Sequence, residues 1–114
     1  MVLNLLVIRT NEMQRLVDFY TLLGLKFEYH KHEQGIYHFS ATIGETVFEI
    51  YPLLKSQKEV DISMRLGFKI ENFEDKIALL NEFIVSKPQQ TAYGICAILK
   101  DIDGRKVEVY KKEL

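Results

Sequence analysis

The chain has 114 residues, of which 47% are hydrophobic and 27% are charged, and its net charge at pH 7 is -1. This length fits one domain with one sizeable core and is too short for two independent domains. The 15 basic and 16 acidic residues leave no basic surplus of the kind that nucleic-acid binding needs. The apolar runs fall far short of the ~20 residues that cross a bilayer. We therefore expect neither nucleic acid nor a membrane as a partner.

The N-terminal sequence and the cysteine content indicate a cytoplasmic protein. Residues 1–4 (MVLN) lack the positive segment that opens a secretion signal. Cys96 is the only cysteine, which excludes an internal disulfide. We therefore expect a soluble intracellular protein.

The first half of the chain predicts the element order β-α-β-β-β, ending near Pro52. Residues 2–10 are rich in aliphatic and β-branched side chains, which favours a strand. Asn11 is a candidate helix cap, because Gln14 follows it at the spacing of a capping box, and helical apolar spacing then continues to Gly24. Strands are expected at 25–30, 36–42 and 46–51, with turns at 34–35 and 44–45.

A mostly polar connector, residues 53–61, precedes a second half that repeats the same order. Its helix is expected to begin after Asn72 and to end before Pro88, which blocks continuation. One face of this helix is predicted from its apolar residues at helical spacing: Phe73, Ile77, Leu80 and Ile84. Strands are predicted at 63–70, 92–100 and 106–111, with a turn at 101–104.

Two sequence matches support an internal repeat. Residues 48–51 (FEIY) align with 107–110 (VEVY), and residues 5–9 (LLVIR) align with 65–69 (RLGFK). Both matches fall at the same places in the order of elements. The chain is therefore predicted to be one α+β domain, residues 1–114, built from two tandem βαβββ modules: 1–52 and 62–114.

Strand alternation assigns the sheet residues to two faces. One set is uniformly apolar and is expected beneath the helices: Leu6, Ile8, Phe48, Ile50, Leu66, Phe68, Ile70, Val107 and Val109. The other set mixes charged, aromatic and aliphatic residues: Leu5, Val7, Arg9, Glu49, Tyr51, Arg65, Lys69, Glu108 and Tyr110. A concave face with a few polar groups is the usual place for a ligand, so we expect the site on the second set.

Three segments carry a resemblance to a known family: residues 18–25 (DFYTLLGL), 48–51 (FEIY) and 101–108 (DIDGRKVE). Over nearly its whole length the chain resembles the glyoxalase/bleomycin-resistance/extradiol-dioxygenase superfamily, also called the vicinal oxygen chelate proteins. The resemblance implies a glyoxalase-like fold, in which paired modules form a curved mixed sheet around a cup, commonly in a homodimer. In the enzymes of this family the cup holds a divalent metal through four side chains.

By position, those four metal ligands correspond to Leu5, Glu49, Arg65 and Glu108. The two carboxylates are present, but leucine cannot ligate, and a guanidinium has no lone pair and stays protonated. Two carboxylates alone rarely hold a transition metal, and a fixed cation beside them repels it. We therefore expect no metal and no other cofactor.

Arg65 places a positive charge where the metal of the family would be. It is expected to pair with Glu49, with Glu108 or with both. Two interpretations stay open: Arg65 only satisfies the carboxylates of a vestigial site, or it binds a carboxylate or phosphate of a ligand. In the second interpretation these three residues form the polar centre of the site, and its walls are formed by Leu5, Val7, Tyr51 and Tyr110.

Three histidines, His30, His32 and His38, are close in the sequence, and the predicted turn would place His30 opposite His38. Together they could hold zinc or nickel, or they could simply line an exposed polar strand edge. His38 shares the face of Glu49, which makes it a candidate general base or ligand donor. Cys96 lies on the same face, but no basic residue adjoins it in the sequence, so we interpret it as an inert small residue.

The sequence therefore predicts a small-molecule-binding protein of this superfamily without a catalytic metal. One alternative is a lyase, isomerase or dioxygenase that uses a divalent metal with Glu49, Glu108 and His38. Another alternative is a protein-interaction module in which side chains plug the cup.

Overall fold

The computed structural model describes residues 1–31 and 35–113 of the chain. Within these ranges the chain divides into two compact units, Met1–Asp61 and Ile62–Leu114, called here the first and the second unit. Each unit contains a four-stranded mixed sheet and an α-helix. The predicted fold class, α+β with two similar βαβββ modules, is confirmed. Among the described residues, no helix has the length and the hydrophobicity to cross a bilayer.

The elements of the first unit follow the predicted order: β1 (Leu5–Thr10), α1 (Met13–Leu22), β2 (Glu28–His30), β3 (His38–Ile43) and β4 (Thr46–Pro52). The strand order in the sheet is β1-β4-β3-β2, with β1 parallel to β4 and the other pairs antiparallel. The turn at 44–45 is confirmed, and Gly44 takes φ 57 there, a conformation that glycine adopts readily. The turn predicted at 34–35 lies partly outside the described residues.

The second unit repeats this arrangement with a 3₁₀ turn after its helix: β5 (Leu66–Ile70), α2 (Phe73–Leu79), the turn (Asn81–Phe83), β6 (Ile84–Thr91), β7 (Gly94–Lys100) and β8 (Lys106–Lys111). The strand order is β5-β8-β7-β6, and β5 is parallel to β8. Leu6 pairs with Phe48 in the first unit, and Leu66 pairs with Val107 in the second. The two units therefore match residue by residue in the register that the sequence repeat predicts.

The apolar strand residues form the core of each unit. In the first unit Phe48 and Ile50 are fully buried, and in the second unit Val107 and Val109 are. Tyr20 of α1 packs its ring 5.2 Å from the ring of Phe48. Burying one side chain of this kind contributes about 1.5–3 kcal/mol. The predicted assignment of the helix-facing side of the strands is therefore confirmed.

The predicted helix starts need correction. Glu12, not Asn11, precedes α1, and the side-chain bond at this end comes from Thr10, whose Oγ1 accepts from the N–H of Glu12 at 3.1 Å. Asn72 does precede α2, but it has φ 52 and its side chain forms no capping hydrogen bond. The strand predicted over 25–30 is shorter, because β2 begins at Glu28.

The second helix was predicted too long. It ends at Leu79, and Ile84, which we placed on its apolar face, is the first residue of β6. The strand β6 lies at the edge of its sheet, and its pairing with β7 shifts register twice, between Ile84 and Ser86 and between Ser86 and Gln89. Each shift adds one residue to β6, the pattern of a β-bulge. Pro88 lies inside the second bulge, at a sheet edge where a residue without an N–H is tolerated.

Candidate functional site

Glu49 of β4 is held by a buried histidine on the sheet face opposite α1. Nε2 of His38 lies 3.0 Å from Oε2 of Glu49, and the side chains are 3% and 17% exposed, respectively. Nδ1 of His38 lies 3.2 Å from the carbonyl oxygen of Ile36. Both oxygens only accept, so a neutral imidazole, which has one N–H, donates to one of them, and a protonated imidazole donates to both. Both ring nitrogens thus face an acceptor oxygen, and His38 would have to give up a contact before acting as a general base.

His38 also belongs to a row of stacked side chains that crosses the first sheet. Its ring is parallel to that of Tyr51, with an interplanar angle of 4° and centroids 4.3 Å apart. On the other side of His38 the ring of His30 stacks at 5.4 Å. Arg9 places its guanidinium carbon 5.1 Å from the centroid of Tyr51, a cation–π contact. The ladder confirms that His30 lies opposite His38. The extension of the stack to Tyr51 and Arg9, which gives one residue from each strand, was not predicted from the sequence.

Glu108 of β8, the equivalent of Glu49, is held by different groups. Nη2 of Arg65 lies 3.0 Å from Oε2 of Glu108. The hydroxyl of Tyr110 donates to Oε1 of the same carboxylate at 2.9 Å. The predicted pairing of Arg65 with one of the two glutamates is thus present within the second unit.

The hydrogen bond to Glu108 raises the pKa of Tyr110 to about 12, because ionisation would place a phenolate beside the carboxylate. Burial of the hydroxyl and its hydrogen bond with Cys96 contribute smaller parts of this same rise. Tyr110 therefore acts as a hydrogen-bond donor toward Glu108 over the whole neutral range.

Arg65 keeps most of its donors available. Its side chain is 55% exposed, and Glu108 is its ion-pair partner within the described part of the chain. A guanidinium has several N–H groups in a planar fork, of which this contact uses one atom. Arg65 can therefore hold Glu108 and bind an acceptor from solution at the same time.

The apolar wall residues lie where the sequence predicted them along the first sheet. Leu5 and Val7 are opposite Val47 and Glu49 in the parallel ladder of β1 and β4. Leu5 is 51% exposed, and Val7 is half-buried beside the carboxylate. The first unit thus offers an apolar strip next to Glu49.

The side chains at the four positions that the resemblance aligned with metal ligands do not suit a divalent cation. Leu5 has no donor atom, and Arg65 brings a permanent positive charge to 3.0 Å from Glu108. Within residues 1–31 and 35–113, no three His, Cys, Asp or Glu side chains are grouped to hold a metal. The predicted alternative of three histidines includes His32, which lies outside the described residues.

The turn after β7 contains a buried charge cluster that the sequence predicted only as a turn. Oδ1 of Asp101 accepts from the backbone N–H groups of Asp103, Gly104 and Arg105 at 2.9–3.0 Å. Arg105 donates to Asp101 at 3.2 Å and to Asp103 at 2.8 Å, and its side chain is 1% exposed. Burial lowers the pKa of Arg105, but these carboxylates outweigh burial and raise it above its usual value. The cluster shapes the hairpin and is not open to a ligand.

Surface depressions within the units lie away from the predicted residues. One of about 360 Å³ is lined by residues 24–26 with parts of β2 and β3. Another of about 440 Å³ lies in the second unit between α2 and residues 88–90. Neither is lined by a predicted site residue among those described. Each unit therefore has its own candidate position, a glutamate with its partners, and these depressions are not part of it.

Solved structures share the fold of this chain at low sequence identity. An antibiotic-binding protein, TnmS3 from Streptomyces sp. CB03234, is 17% identical with a TM-score of 0.75, over 99% of this chain and 97% of that one. The oxidase ChaP-H2 is 12% identical with a TM-score of 0.77, over 99% and 94%. A glyoxalase family protein from Enterococcus faecalis is 20% identical with a TM-score of 0.64, over 95% of each chain. The chain therefore has the glyoxalase-like fold.

Comparison of the amino-acid sequence with known families and proteins gives no match that would specify a function. No protein-family model matches the chain, and no curated protein matches it. Identities this low establish the fold alone, and one fold carries many functions.

Proposed function

We propose that this protein binds a small organic ligand without a catalytic metal. One observation carries the proposal: both glutamates at the family metal positions already have partners in their own units. His38 holds Glu49 at 3.0 Å, and Arg65 and Tyr110 together hold both oxygens of Glu108. Charge-assisted bonds of this kind are strong, so a metal would have to displace them. Carboxylates that already have hydrogen-bond partners in their own units suit a protein that binds an organic ligand better than a metal site.

The residues around the glutamates support an organic ligand. Arg65 is exposed and keeps free N–H donors for a carboxylate or phosphate. Tyr51 and Tyr110 provide aromatic surface, and Leu5 and Val7 provide apolar surface. A few placed polar groups among apolar ones are typical of small-molecule sites. The antibiotic-binding neighbour TnmS3 is an example of small-molecule binding on this fold.

A thermal-shift screen of small organic acids and aromatic compounds, followed by calorimetry of the hits, tests ligand binding. Arg65→Gln should weaken binding of an acidic hit by about tenfold or more, because it removes a charge-assisted contact. The matched control is Arg15→Gln, since Arg15 is also an exposed arginine in an ion pair, with Glu12 at 2.7 Å. Equal binding by both variants would show that Arg65 does not contact the ligand.

Metal analysis of the protein purified from cells tests the absence of a metal. We expect far less than one transition ion per chain. Stoichiometric metal that is lost in Glu49→Gln or Glu108→Gln would favour the metal-dependent alternative. Because the oxidase ChaP-H2 shares the fold, an enzyme is the first alternative that this experiment should exclude.

The proposal includes a cytoplasmic location and a homodimer, both expected from the sequence. Light scattering at several concentrations tests the dimer. A protein that binds partner proteins from its host but gives no hit in the ligand screen would instead favour the protein-interaction alternative.

A further inference from the structure

Three cations form a row at one end of the second sheet, on the face of Glu108. Lys100 at the end of β7 pairs directly with Lys106 at the start of β8. Arg65 precedes Leu66, the partner of Val107, so the parallel register brings Arg65 beside Lys106. Neighbouring strands lie about 4.8 Å apart. This cation row (Arg65, Lys106, Lys100) therefore spans about 10 Å.

The strands that carry the cation row balance one of its three positive charges, that of Arg65. Lys100 and Lys106 are exposed, and neither has an ion-pair partner within the described residues. On β5, β7 and β8, Glu108 is the acidic residue of this face, and it is already bound by Arg65 and Tyr110. Lys69, opposite Tyr110 in the ladder, adds a further cation.

The acidic residues of the adjacent turn do not neutralise the row either. Asp101 and Asp103 direct their carboxylates to the buried guanidinium of Arg105, at 3.2 and 2.8 Å. The side chains of both aspartates are almost completely buried. These two aspartates are therefore neutralised within the turn, and the charges of Lys100 and Lys106 face solvent without an ion-pair partner among the described residues.

The fold itself does not require these cations. The equivalent row in the first unit consists of Leu5, Val47 and Thr42, joined by the same ladders. Like charges directly opposite on neighbouring strands destabilise a sheet. A charged row that costs stability, at positions where its repeat is uncharged, indicates an anionic ligand.

We propose that the cation row binds a phosphate-class head group, a phosphate monoester or diphosphate, of a small organic ligand. The inference rests on the proposed function, because it names the charged end of the ligand proposed there. Phosphate oxygens accept bonds from a guanidinium fork and from ammonium groups at once. Three cations over about 10 Å match a group with more than one negative charge better than a single carboxylate.

Calorimetry with inorganic pyrophosphate, at ionic strength held constant with potassium chloride, tests the row directly. The test variant is the double substitution Lys100→Ala, Lys106→Ala. The matched control is Lys55→Ala, Lys58→Ala, which removes two exposed lysines from the connector. We expect wild type and control to bind alike and the row variant to bind about tenfold to hundredfold more weakly. Far-ultraviolet circular dichroism should show both variants folded, since the first unit tolerates uncharged residues at these places.

Absence of pyrophosphate binding, or equal loss in both double variants, would overturn the inference. Tighter binding to a short oligonucleotide than to pyrophosphate would also contradict a small-molecule head group. The outcome for the proposed function is separate. If organic hits bind the row variant as tightly as wild type, only the phosphate inference is contradicted. If pyrophosphate binds but no organic compound does, only the proposed organic ligand is contradicted.

Discussion

Cys96 takes in the second unit the place that His38 takes in the first. Phe39 pairs with Ile50 in the first unit, and Ala97 pairs with the equivalent residue, Val109, in the second. His38 comes directly before Phe39, and Cys96 comes directly before Ala97. The imidazole reaches across to its glutamate, whereas the thiol is shorter and the hydroxyl of a tyrosine reaches Glu108 instead. One exchange between the repeats therefore accompanies two different ways of holding the same carboxylate.

The first prediction concerns the titration of Tyr110. Its pKa of about 12, against an ordinary value of 10.0, should fall toward the ordinary value in Glu108→Gln, because the neighbouring negative charge is removed. Ultraviolet absorbance of tyrosinate against pH measures this, with Tyr110→Phe identifying the step. A late-titrating tyrosine that persists unchanged in Glu108→Gln would contradict the assigned cause.

The same pKa makes stability depend on pH. Below pH 10.0 Tyr110 is neutral in the folded and the unfolded chain, so its hydrogen bond contributes fully. As the pH rises through the folded pKa of about 12 this contribution is lost, because the unfolded chain ionises first. Urea denaturation of wild type and Tyr110→Phe across this range should show the difference between them shrinking.

The second prediction concerns the pair of His38 and Glu49. His38→Leu should destabilise the fold by about 1–3 kcal/mol, because it leaves a mostly buried carboxylate without its partner. The double variant His38→Leu, Glu49→Leu should cost less than the sum of the two single changes. His30→Leu, which alters the outer ring of the stack, is the control and should change the free energy of unfolding by about 0.5 kcal/mol or less. Additive single and double variants would show that the pair is not coupled.

The third prediction concerns the turn cluster. Asp101→Ala should cost about 3–5 kcal/mol, because it leaves the buried Arg105 with one carboxylate less and frees three backbone donors. Asp103→Ala, which removes the 2.8 Å contact with Arg105 and leaves the bonds of Asp101 to the backbone in place, should cost less. Chemical denaturation measures both changes. A smaller loss in Asp101→Ala than in Asp103→Ala would contradict the central place of Asp101.

The fourth prediction concerns the stability of the cation row without ligand. Lys106→Thr should raise the free energy of unfolding by about 0.2–1 kcal/mol at low salt, because it removes a like-charge pair with Lys100. The gain should shrink at high salt as screening weakens the repulsion. Lys58→Thr serves as the control. Thermal denaturation at two salt concentrations measures the effect, and no gain at low salt would mean that the two lysines do not repel each other.

Strand alternation and the repeat made the main features of the fold predictable. Phe48 and Val107 were placed in the core and on equivalent strands from the sequence, and the ladders agree. The pairing of Arg65 with a glutamate followed from the family resemblance, which placed these residues at related positions, and from their opposite charges. These features depend on periodicity and on local charge, which a sequence displays directly.

The extension of the stack from His38 to Tyr51 was missed although the sequence contained the information. A two-residue turn at 44–45 fixes the register of its hairpin, and counting back from it brings His38 opposite Tyr51. The end of the second helix was harder to predict. Leu80 and Ile84 keep helical spacing, but the helix has already ended at Leu79, and Ile84 begins an edge strand whose bulges accept Pro88. The partner of that strand, β7, is fixed by tertiary pairing that local spacing does not reveal.

The bulges of β6 have a consequence beyond the chain itself. An open sheet edge invites strands of other molecules to add to it and so begins aggregation. The two register shifts and Pro88 interrupt the regular row of backbone donors and acceptors along this border. The border at β6 is thereby poorly suited to recruit a further strand, which protects crowded copies of the protein from joining there into fibrils.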